Sequence, residues 1–501
     1  MNAAEKGRKL MKRTLKTLLA AALILTLVLS GSLTAFAADT NAGKVQYNGA
    51  SLDFAGAVKN VDGRIMVPFR PILQAMGAEV SYDTATKTVS AVTSHNEFSF
   101  TIGQKEISIK ENGVTTKKTM DVAPFINKAE GTTYVPVRFI GESMGYFVSW
   151  DAQSKTVIII DPETIFGTAD EDFSILKKLF ASDLDMEKAY QSTGEFTMNV
   201  STADGGAGMP VDFSAKGSMS GIQQKMDADM LVKYAFNFDQ MLSSLTAEEK
   251  AMTEQILNAY KNTEMKIKLN GETGETYMQS NLFSVMNPTA GENTWYKMNV
   301  YDMYNQMGID LKSIAELSYS EVDLSNLFAS YLKILPAGDT DTYKDMKMTY
   351  AFLRNLMGDS AFKTQSAGKA NTYTLKVDKA AIVAAAAKTV LTEGITKDVL
   401  DAQIDDLLSG GTFTANIVIK DNAGKLSSYD FNGTINTDEL KGSFSMTGDQ
   451  KTAKGQMNFD MQDLMKMDIS YQTRISETSQ KPNISLPADV DLVEFPVSMV
   501  Q

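Results

Sequence analysis

Residues 63–89 recur at 131–157 without an insertion, and thirteen of the aligned positions are identical. Val67/Val135, Pro68/Pro136, Arg70/Arg138, Met76/Met144, Gly77/Gly145, Val80/Val148, Asp83/Asp151 and Lys87/Lys155 are among them. A unit of about 30 residues cannot bury its own apolar face. Two such units packed together can, so the repeat demands one small duplicated domain. Its boundaries are set at 42–161, with the copies at 63–91 and 131–159.

Each copy has a readable local structure. "RIMV" and "TTYV" are short β-prone runs. Pro68 and Pro136 then open a helical turn, where the missing N–H costs nothing. Gly77 and Gly145 stand where a helix ends on a left-handed residue. "EVSYD" and "FVSWD" alternate as strands, Asp83 and Asp151 start a turn, and "KTVSAV" and "KTVIII" return. The unit is strand, helix and hairpin, with Val67, Val80 and Val89 and their partners Val135, Val148 and Val157 expected inside. Further strands are expected between the copies, with turns at Gly103 and Asn112–Gly113.

The pattern G-x-x-x-V-P-x-R, then M-G, then V-x-aromatic-D, then K-T-V resembles the copper amine oxidase N-terminal domain-like family. The resemblance implies a stalk-like module, found in tandem copies in secreted proteins of Bacillota. It also implies that oxidase chemistry would lie in a separate catalytic domain with three copper-binding histidines and a tyrosine in an Asn-Tyr context. This chain has one histidine, His95, and no Asn-Tyr pair. No cofactor and no metal are therefore expected.

The N-terminus reads as an export leader. Basic residues from Lys6 to Lys16 precede the apolar run Leu18–Leu29, and "AFA" precedes Ala38. Cleavage after Ala37 is expected, with no later stretch apolar enough to span a bilayer. Export with no cysteine, hence no disulfide, fits a Gram-positive envelope. Residues 1–37 carry six basic and one acidic residue, so the formal charge of −13 becomes −18 once they are removed. Such an acidic chain argues against nucleic acid as a partner. A cell-wall polymer, an envelope protein or an apolar small molecule suits it better.

The second region, 162–501, alternates between strand series and helices. Helices are expected at 171–191, at 246–262 with a Thr246–Glu249 capping box, at 379–393 with Asp378 as cap, and from residue 396. Strands precede and follow them. The fold class is α+β: the small pseudo-symmetric domain, then a larger one with a curved antiparallel sheet packed against helices. That arrangement is similar to the open-barrel folds of bacterial lipoprotein carriers and lipid-binding proteins.

Catalytic signatures are thin. The S-x-x-K of Ser174–Lys177 lacks partner motifs. "DTDTYKD" (Asp339, Asp341, Asp345) lacks the turn glycine and distal glutamate of a calcium loop, and reads as a capped helix start. Met457, Met461 and Met465 would share a helical face, but the same residues also alternate as strand. No catalytic residue is assigned. The repeat's Pro68, Arg70, Gly77, Asp83, Pro136, Arg138, Gly145 and Asp151 are read as structural, each arginine tying its helix to the hairpin turn. The candidate ligand-lining residues are Met198, Met230, Met265, Met278, Met446, Met457 and Met461. Thioethers in β-prone segments, where stiffer Val and Ile would suit a fixed core, rearrange cheaply around a guest. The expected function is a non-enzymatic, secreted, wall-associated protein with a docking module and a C-terminal binding domain. The alternatives are a carrier of a lipid or other apolar ligand, and a hydrolase with an acidic site.

Overall fold

The computed structural model describes residues 43–495, apart from 55–57, 94–95, 112, 181–183, 186, 203–211, 244, 258–259, 287–290, 292, 307–310, 313–322, 333–338, 391–410, 439 and 462–463. The leader, His95, Asn112 and the helix expected from residue 396 lie outside the described residues. Two compact units form: residues 1–169 with 325–351, and residues 170–324 with 352–501.

The first unit opens with β1 (Lys44–Tyr47), β2 (Ala50–Ser51) and β3 (Lys59–Val61). One copy of the repeat follows as β4 (Arg64–Pro68), α1 (Phe69–Ala75), β5 (Glu79–Asp83) and β6 (Thr88–Val92). Next come β7 (Asn96–Thr101), β8 (Glu106–Glu111), β9 (Val114–Thr119) and β10 (Phe125–Asn127). The other copy is β11 (Thr132–Pro136), α2 (Val137–Ser143), β12 (Phe147–Asp151) and β13 (Thr156–Ile160).

The lead strands β4 and β11 pair antiparallel, with Val67 opposite Val135 and Met66 opposite Pro136. The two hairpins then diverge. β5–β6 starts the five-stranded sheet β5-β6-β7-β8-β9, whereas β12–β13 joins β1 and β2 in another sheet. One core serves both copies: Val67, Val89, Val135, Val148 and Val157 are buried in it, while Val80 is half-buried against it. Phe69 meets Phe98 and Phe100 edge-on. The gap left in this core is about 10 Å³, at most a single water's room. Residues 325–351 belong to the same unit. Phe166 packs on Phe328 and Tyr350, and Ser325 Oγ donates to the Phe166 carbonyl at 2.7 Å.

The second unit is built on one fourteen-stranded sheet, large and curved. Its first strands are β14 (Ala189–Thr202), β15 (Asp212–Gln224), β16 (Asp227–Asn237), β17 (Asn262–Leu269), β18 (Glu275–Ser280) and β19 (Thr294–Asn299). The later ones are β20 (Lys363–Ala367), β21 (Ala370–Asp378), β22 (Thr412–Asn422), β23 (Lys425–Asn436), β24 (Leu440–Gly448), β25 (Thr452–Met461), β26 (Met465–Thr478) and β27 (Asp491–Glu494). The spatial order runs from β20 through β26 to β14, on to β19, and ends at β27. The long antiparallel β14–β26 ladder joins the two strand series into one sheet. The final strand, β27, adds parallel to β19.

The expected helix over 171–191 is instead two short helical turns, Ala169–Asp172 and Ser174–Lys177, followed by strand from Ala189. Tertiary pairing overrides local propensity there: Ala189–Gln191 hydrogen-bond into ladders with both β15 and β26. The capping box forms as expected, with the Thr246 N–H and hydroxyl donating to Glu249 and the Glu249 N–H returning to Thr246 Oγ. Asp378 accepts the Ala381 N–H at 3.0 Å and caps the helix Lys379–Val390. That helix packs back onto β21 and β22, burying Ile382, Val383, Ala385 and Ala386.

Candidate functional site

The repeated polar residues are used within their own copies. Asp83 accepts the Ala85 N–H and the Thr86 hydroxyl, both at 2.8 Å. Those bonds, the hydroxyl first, hold its carboxyl below the usual range. Asp151 likewise accepts hydrogen bonds from the Gln153 N–H and the Ser154 hydroxyl. Lys87 and Lys155 close both hairpins at φ +57° and +54°. Pro68 and Pro136 are the residues at which α1 and α2 begin.

Gly77 and Gly145, at φ +79° and +83°, end those helices. Their N–H groups reach the carbonyls of Gln74 and Glu142, and the next residues' N–H groups reach Leu73 and Gly141. That is the paired bonding of a left-handed helix stop. The arginines differ. Arg70 Nη1 donates to the Val80 carbonyl at 3.3 Å, tying α1 to the first hairpin strand rather than to its turn. Arg138 only approaches Glu142, one helical turn on, at 3.9 Å.

The methionines are gathered by register. Opposed residues in neighbouring strands share a face. Met446 and Phe444 of β24 face Gly455 and Met457 of β25. Met457 faces Ile469, which faces Met198 of β14. Met198 leads through Ala215 and Phe236 into β16, where Met230 and Val232 stand opposite Ile267 and Met265. Ile267 in turn faces Met278. Met461 pairs with Met465 on that side too. All seven candidate methionines therefore lie on one face of the sheet, together with Phe196, Phe431, Phe459 and Tyr471, and all seven are half-buried. The helical reading of Met457, Met461 and Met465 gives way to strand because each residue sits in a β ladder.

The opposite face is a polar ladder. Thr197 bonds Ser470 at 2.6 Å, Asn416 donates to Asn432 at 3.0 Å, and Gln472 donates to Glu195 at 2.9 Å. Near one end of this face lies a cleft of about 460 Å³. Gln191, Ser220, Ile222, Asp229, Leu231, Lys266, Lys268 and Gln279 line it from β14–β18, with Asn293, Trp295 and Pro487. Met230, which register places on the methionine face, is the one candidate methionine among the residues that border it. The segment 479–490, which carries the chain from β26 to β27, bounds it. Lys268, 7% exposed, donates to the Asn483 carbonyl and pairs with Asp229 at 3.5 Å. Sequence reasoning missed this cleft, because Lys268 and Asn483 are 215 residues apart.

The motifs set aside in the sequence have structural employment. Ser174 Oγ donates to Asp359, which also accepts the Ile175 N–H, and Lys177 pairs with Asp170 at 2.5 Å. Asp339 accepts the Asp341 N–H and the Thr342 hydroxyl at the start of the helix Thr342–Met357. Asp421, 1% exposed, takes bonds from Asn371, Tyr373 and Lys178. Among the described residues no three His, Cys, Asp or Glu side chains are placed to hold a metal ion. No helix there is long and apolar enough to cross a membrane.

Residues 46–159 match the family model of the copper amine oxidase N-terminal domain. The first unit thus carries that domain, which is not the catalytic part of such oxidases. A search of curated proteins gives no match. Among solved structures, two engineered variants of the porin of Rhodopseudomonas blastica align at 10% and 9% identity. Each alignment covers 57% of this chain and 99% of the porin, with a TM-score of 0.11, too low to bear on fold or function.

Proposed function

We propose that this is a non-enzymatic protein of the cell envelope, exported by its leader and held near the wall. Its copper amine oxidase N-terminal domain docks, and its large sheet carries a lipid or another apolar ligand. The observation that supports the carrier reading most is the half-buried face of methionines and aromatic rings. A filled core would leave these side chains inaccessible, whereas flexible thioethers at partial exposure suit a guest of variable shape. The docking domain reads as two copies about a pseudo-twofold axis, supported by Val67 standing opposite its own counterpart Val135. The gap of about 10 Å³ in its core is too small for a ligand, which favours surface contact as its means of binding.

The non-catalytic reading draws some support from carboxylates that are held below the ordinary range by their hydrogen-bond and lysine partners, such as Glu275 beside Lys297 and Asp378 at its helix start, the state of a structural ion rather than of a general acid.

Palmitate and an environment-sensitive apolar dye, titrated into the chain lacking residues 1–37, test the carrier. Saturable dye binding displaced by palmitate is expected. Met457→Lys, confirmed folded by circular dichroism, should weaken palmitate by about tenfold or more. Absence of palmitate binding to the folded protein would overturn the reading.

A further inference from the structure

The cleft on the polar face is not explained by an apolar cargo, since it lies on the other side of the sheet. Two adjacent cross-strand rows make its floor. Gln191, Ile222, Asp229 and Lys268 stand opposite one another in β14–β17. Ser220, Leu231, Lys266 and Gln279 do so in β15–β18. The floor therefore crosses several strands, about 15 Å at the usual strand spacing, and suits a ligand lying across them.

The electrostatics select its class. Lys268 is already matched by Asp229 and the Asn483 carbonyl, and Lys266 shares Glu264, 3.6 Å away, with Lys233 at 3.0 Å. Both lining lysines thus already lie against carboxylates and Asp229 is taken by Lys268, which disfavours a ligand held mainly through formal charge. Further polar equipment includes the Gln191 and Gln279 amides, the Ser220 hydroxyl and the Asn293 carbonyl oxygen, the Asn293 amide nitrogen being engaged by the Asp489 carbonyl. Amides and hydroxyls both donate and accept, which matches a ligand dense in hydroxyl groups.

Ile222, Leu231 and Pro487 place apolar surface between these groups, as the C–H faces of sugar rings require. An extended peptide fits poorly, because β14–β18 are each paired on both sides and offer no free edge. The volume of about 460 Å³ lies within the range of small-ligand sites.

We propose that this cleft binds an uncharged oligosaccharide segment, disaccharide-sized within the cleft. The inference does not rest on the carrier reading, since the two sites occupy opposite faces. The test is calorimetric titration of the full chain lacking residues 1–37 with chitotetraose, cellotetraose and maltotetraose, and with an anionic hyaluronan tetrasaccharide. At least one neutral probe should bind at or below the millimolar range, and the anionic one more weakly. Gln191→Ala and, separately, Ser220→Tyr should each weaken that probe by at least tenfold while leaving palmitate binding and the melting temperature unchanged. Failure of every neutral probe, preference for the anionic one, or full affinity in the Ser220→Tyr protein would overturn the proposal. Loss of palmitate binding alone would leave it standing and sink only the carrier.

Discussion

Gly433→Val is expected to cost the second unit about 3 kcal/mol or more of stability, the upper end for overpacking a close contact. Gly433 lies in β23 between Ala415 of β22 and Phe444 of β24. A Cβ there would stand 2.5 Å from both the Phe444 ring and the Thr414 carbonyl oxygen. The ring can swing aside. The carbonyl cannot, because it is part of the strand backbone beside β23. The same device recurs on the methionine face, where the Phe196 ring lies 2.2 Å from a Cβ built on Gly217 and the Tyr471 ring 2.6 Å from one on Gly455. Rings lying over glycines of the neighbouring strand let a sheet bend without opening gaps. Urea unfolding followed by tryptophan fluorescence and circular dichroism measures the loss. A change below about 0.5 kcal/mol, the range of a neutral surface substitution, would show that the ladder yields and that the glycine is not required.

Asp421→Asn is the second large effect, about 2–3 kcal/mol at neutral pH, as for a buried acceptor turned against its donors. Asp421 accepts from Asn371 Nδ2 and the Tyr373 hydroxyl, each at 2.9 Å, and pairs with Lys178 Nζ at 3.2 Å. An amide in its place loses the charge and turns one of its oxygens into a donor facing other donors. Burial pushes the Asp421 carboxyl up, but the bonds from Asn371, Tyr373 and Lys178 outweigh it and hold it below its ordinary value. Its contribution is therefore complete above the free aspartate value of about 3.9 and fades as pH falls through the lower folded value. The difference between wild type and variant should shrink below about pH 4. A constant difference from pH 7 to pH 2.5 would rule the charge out as its source. On the alkaline side, burial and then the bond to Asp421 push the Tyr373 hydroxyl up to about 12. Folding keeps that proton while the unfolded chain releases it, so stability should fall between about pH 10 and 12.

The small domain was legible in detail because its signals are local. Pro68, Gly77, Asp83 and Lys87 each act within a few residues of themselves, and each has its counterpart in the second copy. The strands and caps of the larger unit were also visible, as at Thr246–Glu249 and Asp378. The helix expected over 171–191 was not found, since Ala189 begins a strand whose partners lie at Gln224 and Thr478. The methionines could be picked out as unusual for strands, but nothing local put Met198 and Met457 on one face.

The sequence by itself determined the repeat's turns, its helix stops and most of its buried valines. Those features depend on backbone preferences and short-range periodicity, which neighbouring residues dictate. Only the tertiary structure decided that residues 325–351 pack with the first unit, that β26 returns to β14, and that segment 479–490 borders a cleft through Lys268 and Asn483. It likewise decided that thioethers and amides occupy opposite faces of one sheet. Strand pairing between distant segments is chosen by the cooperative fit of whole ladders. That choice leaves no mark on any short stretch of sequence.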